Sequence, residues 1–317
     1  MRIVFFGSPP AALPSLAGIM EAGHSVEMVV TQPDKPAGRG RALTPCAVKS
    51  FAVGRGLPFL EPARIRNDDS AKETLRSLGA DIHVVVAYGQ IIPAEIIYAP
   101  RFHSVNVHFS LLPMYRGASP VQWAILRGER RTGVTVFELN EKMDEGDILS
   151  AEATEILPGE SAHDLEARLA GIGAELLVRT LRNIEGIRRS PQDHALATPA
   201  PKLKKEDGLL NWTDRSEAID RKIRAFHPWP GAFTFFRGKR IQILRGQPLD
   251  PDQGTHEAPG TVRRILKEGL DVACGGADVF RIELLKPEGR KEMSAYAFSL
   301  GAMAKPGDIF VAGPGQG

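Results

Sequence analysis

Cysteine is scarce in this chain: Cys46 and Cys274 are the only two, they lie far apart, and neither stands in a C-x-x-C or Cys/His arrangement. That excludes a disulfide framework and offers no zinc spacing, so both thiols are expected to be reduced and structural, with no metal centre. Long apolar runs are lacking as well; nothing approaches the roughly 18 consecutive apolar residues of a membrane span. Met1-Arg2-Ile3-Val4-Phe5-Phe6-Gly7 passes straight into a strand-like pattern without a cleavage signature, so the expected setting is the cytoplasm, away from membranes. Net charge is only +2 and by itself points to no partner. Its distribution is uneven, with 21 basic against 23 acidic side chains through residue 200 and 19 against 15 beyond it. The excess in the last third is a weak hint of a polyanionic partner.

What is present is an ordinary globular composition, 43% hydrophobic and 25% charged over 317 residues, enough for a substantial core and two domains. The apolar run 3–6 ends at Gly7-Ser8-Pro9-Pro10; Leu13, Leu16, Ala17 and Met20 then recur at helical spacing, and residues 26–30 supply a second strand. This opening lacks the remaining glycines of a G-x-G-x-x-G fingerprint, so no dinucleotide site is read there. Strand-like runs at 82–87, 104–108 and 133–138 alternate with segments that can hold helices, 70–78 and 120–127. The alternation predicts an α/β fold with an open, mostly parallel, Rossmann-like sheet. Ligands of such sheets bind beyond the carboxyl ends of the strands. Tyr88-Gly89, the end of the 104–108 run and the segment after Leu139 are all expected to emerge there.

Ser161 and Asp164 form a capping-box pattern that opens a helix with Leu165, Leu169, Ile172 and Leu176 on one face, ending near residue 184. From 189 to 207 the texture turns to Pro, Ala, Thr and charged residues without a period, which reads as a linker. Beyond it, short strand candidates at 232–236, 240–244, 260–265, 270–273 and 279–285 are punctuated by Gly and Pro, as in a small OB-like β-barrel. Such a barrel either binds an oligonucleotide or packs against a neighbour. The expected division is a Rossmann-like domain over 1–188, a linker over 189–207 and the barrel over 208–317.

The most informative stretch is Ser104-Val105-Asn106-Val107-His108. Period-2 alternation puts Asn106 and His108 on one face of a strand and the valines on the other. An isolated Asn or His at a strand end most often only satisfies hydrogen bonds. Here the next loop, Ser110-Leu111-Leu112-Pro113-Met114-Tyr115-Arg116-Gly117, has the make-up of a shaped ligand wall. An amide N–H holds a developing oxyanion, and an imidazole moves a proton or, as imidazolium, stabilises the same charge. Downstream, Asp144 in Met143-Asp144-Glu145-Gly146-Asp147 follows a strand and precedes a glycine. Read alone it is a solvated loop acid; beside His108 it would favour and orient the imidazolium.

Taken together, Asn106-x-His108, Ser110-Leu111-Leu112-Pro113-x-x-Arg116-Gly117-x-x-Pro120 and Met143-Asp144-x-Gly146-Asp147 resemble the 10-formyltetrahydrofolate-dependent formyltransferases. The match runs over nearly the whole chain into the branch that formylates methionyl-tRNA, through residues 31–41, 85–89, 223–232 and 286–295. The resemblance implies Asn106, His108 and Asp144 as the catalytic trio. It implies Ser110, Leu111, Leu112 and Pro113, with Tyr88 and Gly89, as the folate wall. It also implies 10-formyltetrahydrofolate as co-substrate, without a metal, and initiator methionyl-tRNA as partner, with the barrel contacting the tRNA; a monomer is expected. Residues 34–49 hold four basic side chains and one acid; on charge alone they make a solvated loop, and under the resemblance Lys35, Arg39 and Arg41 contact tRNA.

The chain departs from the family pattern at Phe109, where a small residue is expected, at Met114 in place of arginine, and at His227 in place of asparagine. Phe109 is expected to point to the core, away from the His108 face. Competing readings are a folate-dependent formyltransferase for an amino sugar or small ribonucleotide amine, a formyltetrahydrofolate hydrolase, and a tRNA-binding module without catalysis. The last has no need of the trio. Arg39→Ala is expected to weaken kcat/KM for charged tRNA with folate binding intact; unchanged tRNA kinetics would remove the loop from the substrate contact.

Overall fold

The computed structural model describes residues 1–37, 42–249 and 257–313. Arg39 and Arg41 lie outside the described residues. Two compact units are present: Met1–Pro120, Arg130–Ile156 and Asp164–Pro201 form the first, and Val121–Glu129, Leu157–His163 and Lys202–Gly317 the second.

The first unit starts with β1 (Arg2–Gly7), α1 (Leu13–Glu21) and β2 (Ser25–Val30). A small hairpin follows, β3 (Lys35–Ala37) with β4 (Ala42–Thr44), then α2 (Ala47–Gly54), β5 (Phe59–Leu60), α3 (Asp69–Ser77) and β6 (Ile82–Val86). Next come α4 (Ala94–Ile97), β7 (Ser104–His108), α5 (Pro120–Leu126), β8 (Arg131–Glu138), β9 (Ile148–Glu155) and α6 (Ala162–Arg182), with α5 grouping largely with the second unit. The strands make one sheet in the order β5-β2-β1-β6-β7-β8-β9. Every residue of β6 is buried, and so are the five residues of β1 after Arg2. Such continuous apolar runs belong to interior parallel strands covered on both faces.

The sheet is parallel from β5 to β7 and antiparallel at β8 and β9. β9 is absent from the sequence reading because Ile148-Leu-Ser-Ala-Glu-Ala-Thr-Glu155 lies on the sheet edge and carries no clean alternation. The reversal also corrects an expectation. Glu138, at the end of β8, pairs with Val105 at the start of β7, so the segment after Leu139 leaves the sheet opposite the carboxyl ends of the parallel strands. α6 covers the valine face: a Cβ on Gly173 would fall 2.9 Å from Val107 Cγ1 and 3.6 Å from Phe109. Val107 and Phe109 therefore pack toward the helix, which leaves the other face of β7 to Asn106 and His108.

The segment 189–207 has little regular structure, yet residues 190–200 are fastened along the first unit. Ser190 pairs with Ile148 and Pro199 with Arg116, and Gln192 and Ala200 are buried.

The second unit contains α7 (Ser216–Ala225), β10 (Phe233–Phe236), β11 (Lys239–Leu249), β12 (Val262–Leu266), β13 (Gly269–Ala273), β14 (Val279–Pro287), β15 (Met293–Ser294), α8 (Ala295–Ala302) and β16 (Phe310–Val311). The antiparallel order is β12-β13-β14-β11-β10-β16. Its ends meet where Thr261 bridges Ile309, with Val262 N–H donating to Asp308 O at 2.7 Å and Phe310 N–H to Gly260 O at 2.9 Å. The sheet thereby curls into an OB-like barrel around Trp212, Ile243, Phe280, Ile282 and Phe310. α7 and α8 pack on it and are missing from the sequence reading; Ile219 and Ile223 give α7 only a one-turn apolar stripe. Asp278 anchors the start of α7 by accepting from the Ser216 N–H and from Arg215, whose guanidinium holds its carboxyl below the usual range.

Among the described residues no helix is long and apolar enough to cross a membrane. His83, 1% exposed on β6, is pushed down to about 4 by burial from its ordinary 6.5. The folded imidazole stays neutral where the unfolded one protonates. Stability is therefore expected to hold above pH 6.5 and to fall between pH 6.5 and about 4, by up to ~1.4 kcal/mol per pH unit. Urea unfolding at pH 7 and pH 5 tests this, with His83→Gln expected to flatten the dependence.

Candidate active site

β7 carries Asn106 and His108 to the point where the sheet changes direction, and their cross-strand neighbours are Phe137 and Thr135. Directly opposed residues share a face, so the four side chains surround one spot. The His108 ring is buried and meets Phe137 edge to face, centroids 6.3 Å apart. Its Nε2 lies 2.9 Å from the carbonyl oxygen of Tyr115. A carbonyl only accepts, so Nε2 bears the hydrogen, and Nδ1 is the nitrogen left to exchange a proton. Nδ1 faces Asp144 Oδ2 at 3.8 Å. Asn106 is half-buried, and its Oδ1, shut from solvent, has no hydrogen-bond partner among the described residues.

Asp144 reaches this spot although its loop leaves from the far end of β8. The loop runs back over the sheet face and returns so that Asp147 O accepts from the Glu138 N–H at 2.9 Å. Gly146 makes the return possible, since a Cβ there would fall 1.7 Å from Glu138 O. Asp144 has φ 54°, in the left-handed region. Its Oδ2 accepts from the Gly117 N–H at 2.8 Å.

The 110–117 loop is held from inside. Thr135 Oγ1 donates to Ser110 O and accepts from the Leu112 N–H, and Ser110 Oγ donates to Met114 O at 2.7 Å. Ser110 and Leu112 are buried and Leu111 is half-buried, in close contact with Gly133 of β8; Pro113 is half-buried and Met114 exposed. The Tyr88 ring is 1% exposed and packs against Phe6, while its carbonyl accepts from Gln32 Nε2 at 2.8 Å. Gly89 opens onto a cleft of about 380 Å³ lined also by Gln32, Lys35, Arg64, Arg66 and Ile91. Lys35 donates to Gln32. The structure thus brings Asn106, His108 and Asp144 together, keeps Ser110 to Pro113 next to them in sequence and space, and turns the Tyr88 side chain into the core.

Residues 192–200 belong to the surroundings of the site and are missing from the sequence reading. Arg116 N–H donates to Thr198 O, Ala200 N–H to Arg116 O, and Tyr115 N–H to Thr198 Oγ1, all within 2.9 Å. Composition alone concealed them, because a strip of backbone pairing has no periodic signature.

Residues 1–181 match the family described as formyl transferase, and residues 202–302 match the formyl transferase C-terminal domain. The chain belongs to the formyl transferase family. A relative in Geotalea uraniireducens (strain Rf4), called methionyl-tRNA formyltransferase, is 42% identical over 98% of this chain and 97% of its own length. One of the same name in Solibacter usitatus (strain Ellin6076) is 44% identical over 95% and 96%. HypX from Aquifex aeolicus, solved with tetrahydrofolic acid, superposes with TM-score 0.65 at 19% identity over 94% of this chain; the chain spans about half of HypX, 47%. At that identity the likeness is one of fold. In this member of the formyl transferase family, Gly146→Ala is expected to push the Asp144 loop off His108 and lower turnover at least about tenfold. Steady-state kinetics with normal kcat would show the return turn to be dispensable.

Proposed function

We propose that this chain transfers the formyl group of 10-formyltetrahydrofolate to the free α-amino group of initiator methionyl-tRNA, acting as a cytoplasmic monomer. The product, N-formylmethionyl-tRNA, serves translation initiation. The observation that carries the reading is the near full-length likeness, 40 to 44% identity over 94 to 98% of the chain, to relatives called methionyl-tRNA formyltransferase.

The site chemistry fits a formyl donor and an amine. Asn106 Oδ1 is an acceptor without a partner among the described residues, and an attacking amine brings the N–H that satisfies it. The Asn106 amide N–H then donates to the formyl oxygen. His108, protonated at Nδ1, stabilises the negative charge that develops there as the amine nitrogen bonds to the formyl carbon. Asp144, with Oδ2 3.8 Å from Nδ1, supports the imidazolium and orders a water for proton transfer. As the carbon–nitrogen bond to the folate breaks, the proton lost by the amine goes to the folate nitrogen, leaving tetrahydrofolate. Ser110, Leu111, Leu112 and Pro113, with the backbone of Tyr88 and Gly89, form the folate wall in this reading. Lys35, Arg39, Arg41 and the barrel meet the tRNA.

A second reading, formylation of an amino sugar, draws on the fold of an N-formyltransferase from Helicobacter canadensis solved with folinic acid and dTDP-3-aminofucose, TM-score 0.64 at 17% identity. Incubation with 10-formyltetrahydrofolate and methionyl-tRNA, free methionine or small amino sugars separates the two. Product is expected on charged tRNA alone, and its absence there sinks the proposal. His108→Ala is expected to lower turnover by about 10²- to 10⁴-fold while tRNA binding persists; near-normal turnover would remove His108 from the chemistry.

A further inference from the structure

Gln192 belongs to the segment whose composition reads as linker, yet it is 6% exposed and every polar atom of its amide is engaged. Its Nε2 donates to two carbonyls of the Asp144 loop, Asp144 O at 2.9 Å and Gly146 O at 2.7 Å. Its Oε1 accepts from Arg116 Nε at 3.0 Å and Nη2 at 2.6 Å. Arg116 also faces Glu145 Oε1 at 3.6 Å. One side chain therefore ties the loop that bears Asp144 to the turn that touches His108.

The tie falls where the backbone needs it. Asp144 sits in the left-handed region, a conformation that costs a non-glycine residue free energy and persists only when its surroundings over-determine it. Neither carbonyl held by Gln192 belongs to a residue of a strand. The Gly117 N–H fixes Oδ2, so the carboxylate is constrained at its tip by Gly117 and at its backbone by Gln192. Loss of the second constraint lets the loop relax and changes the 3.8 Å separation from His108 Nδ1. Displacement of a reacting group by about 1 Å lowers rates by as much as 10²-fold.

We propose that Gln192 is a positioning residue for formyl transfer, acting through Asp144 without touching either substrate; the proposal rests on the roles assigned above to Asp144 and His108. Gln192→Met removes all four hydrogen bonds at nearly constant volume, and Gln192→Glu keeps the acceptor for Arg116 but loses both donations to the loop. In both variants kcat is expected to fall about 10- to 100-fold, with KM for folate and for charged tRNA within about threefold and the urea midpoint close to that of the parent. Single-turnover rates in an Asp144→Asn background decide the route. Gln192→Met should add less than about twofold there, because the group it positions has already been removed.

Three results overturn the inference: unchanged kcat in both variants, the same fractional loss in the Asp144→Asn background as in the parent, or a loss of kcat that merely tracks loss of folded protein in both variants. Failure of the underlying reading looks different, since Asp144→Asn and His108→Ala would then themselves retain near-normal turnover.

Discussion

A single turn at residues 115–117 holds both His108 and Asp144. Its Tyr115 carbonyl accepts from His108 Nε2, and its Gly117 amide donates to Asp144 Oδ2. The carbonyl decides which imidazole nitrogen is free to exchange a proton, and the amide decides which way the carboxylate points. The rest of the site depends on keeping this turn still. Tyr115 and Gly117 both have positive φ, and a Cβ on Gly117 would fall 2.6 Å from Ala200 O. Backbone pairing with residues 198–200 provides the restraint from outside, and Thr135 provides it from below through Ser110 and Leu112.

Strand direction explains why the site forms where it does. β7 is parallel to β6 on one side and antiparallel to β8 on the other. The parallel side gives β7 a largely buried frame that brings Asn106 and His108 toward the carboxyl edge of the sheet. The antiparallel side puts Phe137 and Thr135 on the same face as Asn106 and His108, one walling the imidazole and the other anchoring the loop. The cost of this arrangement is that the Asp144 loop starts from the wrong end. Gly146 and the left-handed Asp144 are the local means by which it comes back.

Much of this was legible beforehand. The runs of β1 and β6 are largely apolar and bounded by turn residues, and β7 alternates valine with polar side chains, so all three are readable as strands of an open sheet. Asn106 and His108 share a face because strands alternate, whatever else the chain does. β9, α7 and α8 were not legible, since an edge strand and short surface helices are specified by what they pack on more than by their own periodicity. Gln192 was hidden for a related reason: a residue in an irregular segment acquires a role only from what folding brings beside it.

The sequence by itself determined the residue types of the site and the face on which two of them stand. These depend on side-chain chemistry and on the two-residue repeat of a strand, both of which are local. Tertiary structure alone decided that Asp144 lies beside His108, that Nδ1 is the free nitrogen, that the Tyr88 ring is committed to the core, and that residues 190–200 brace the site. All but the second rest on contacts between segments tens of residues apart, and the second on a loop that brings the Tyr115 carbonyl back to His108, seven residues earlier; such geometry is set by strand direction and loop return and has no periodic trace in the chain.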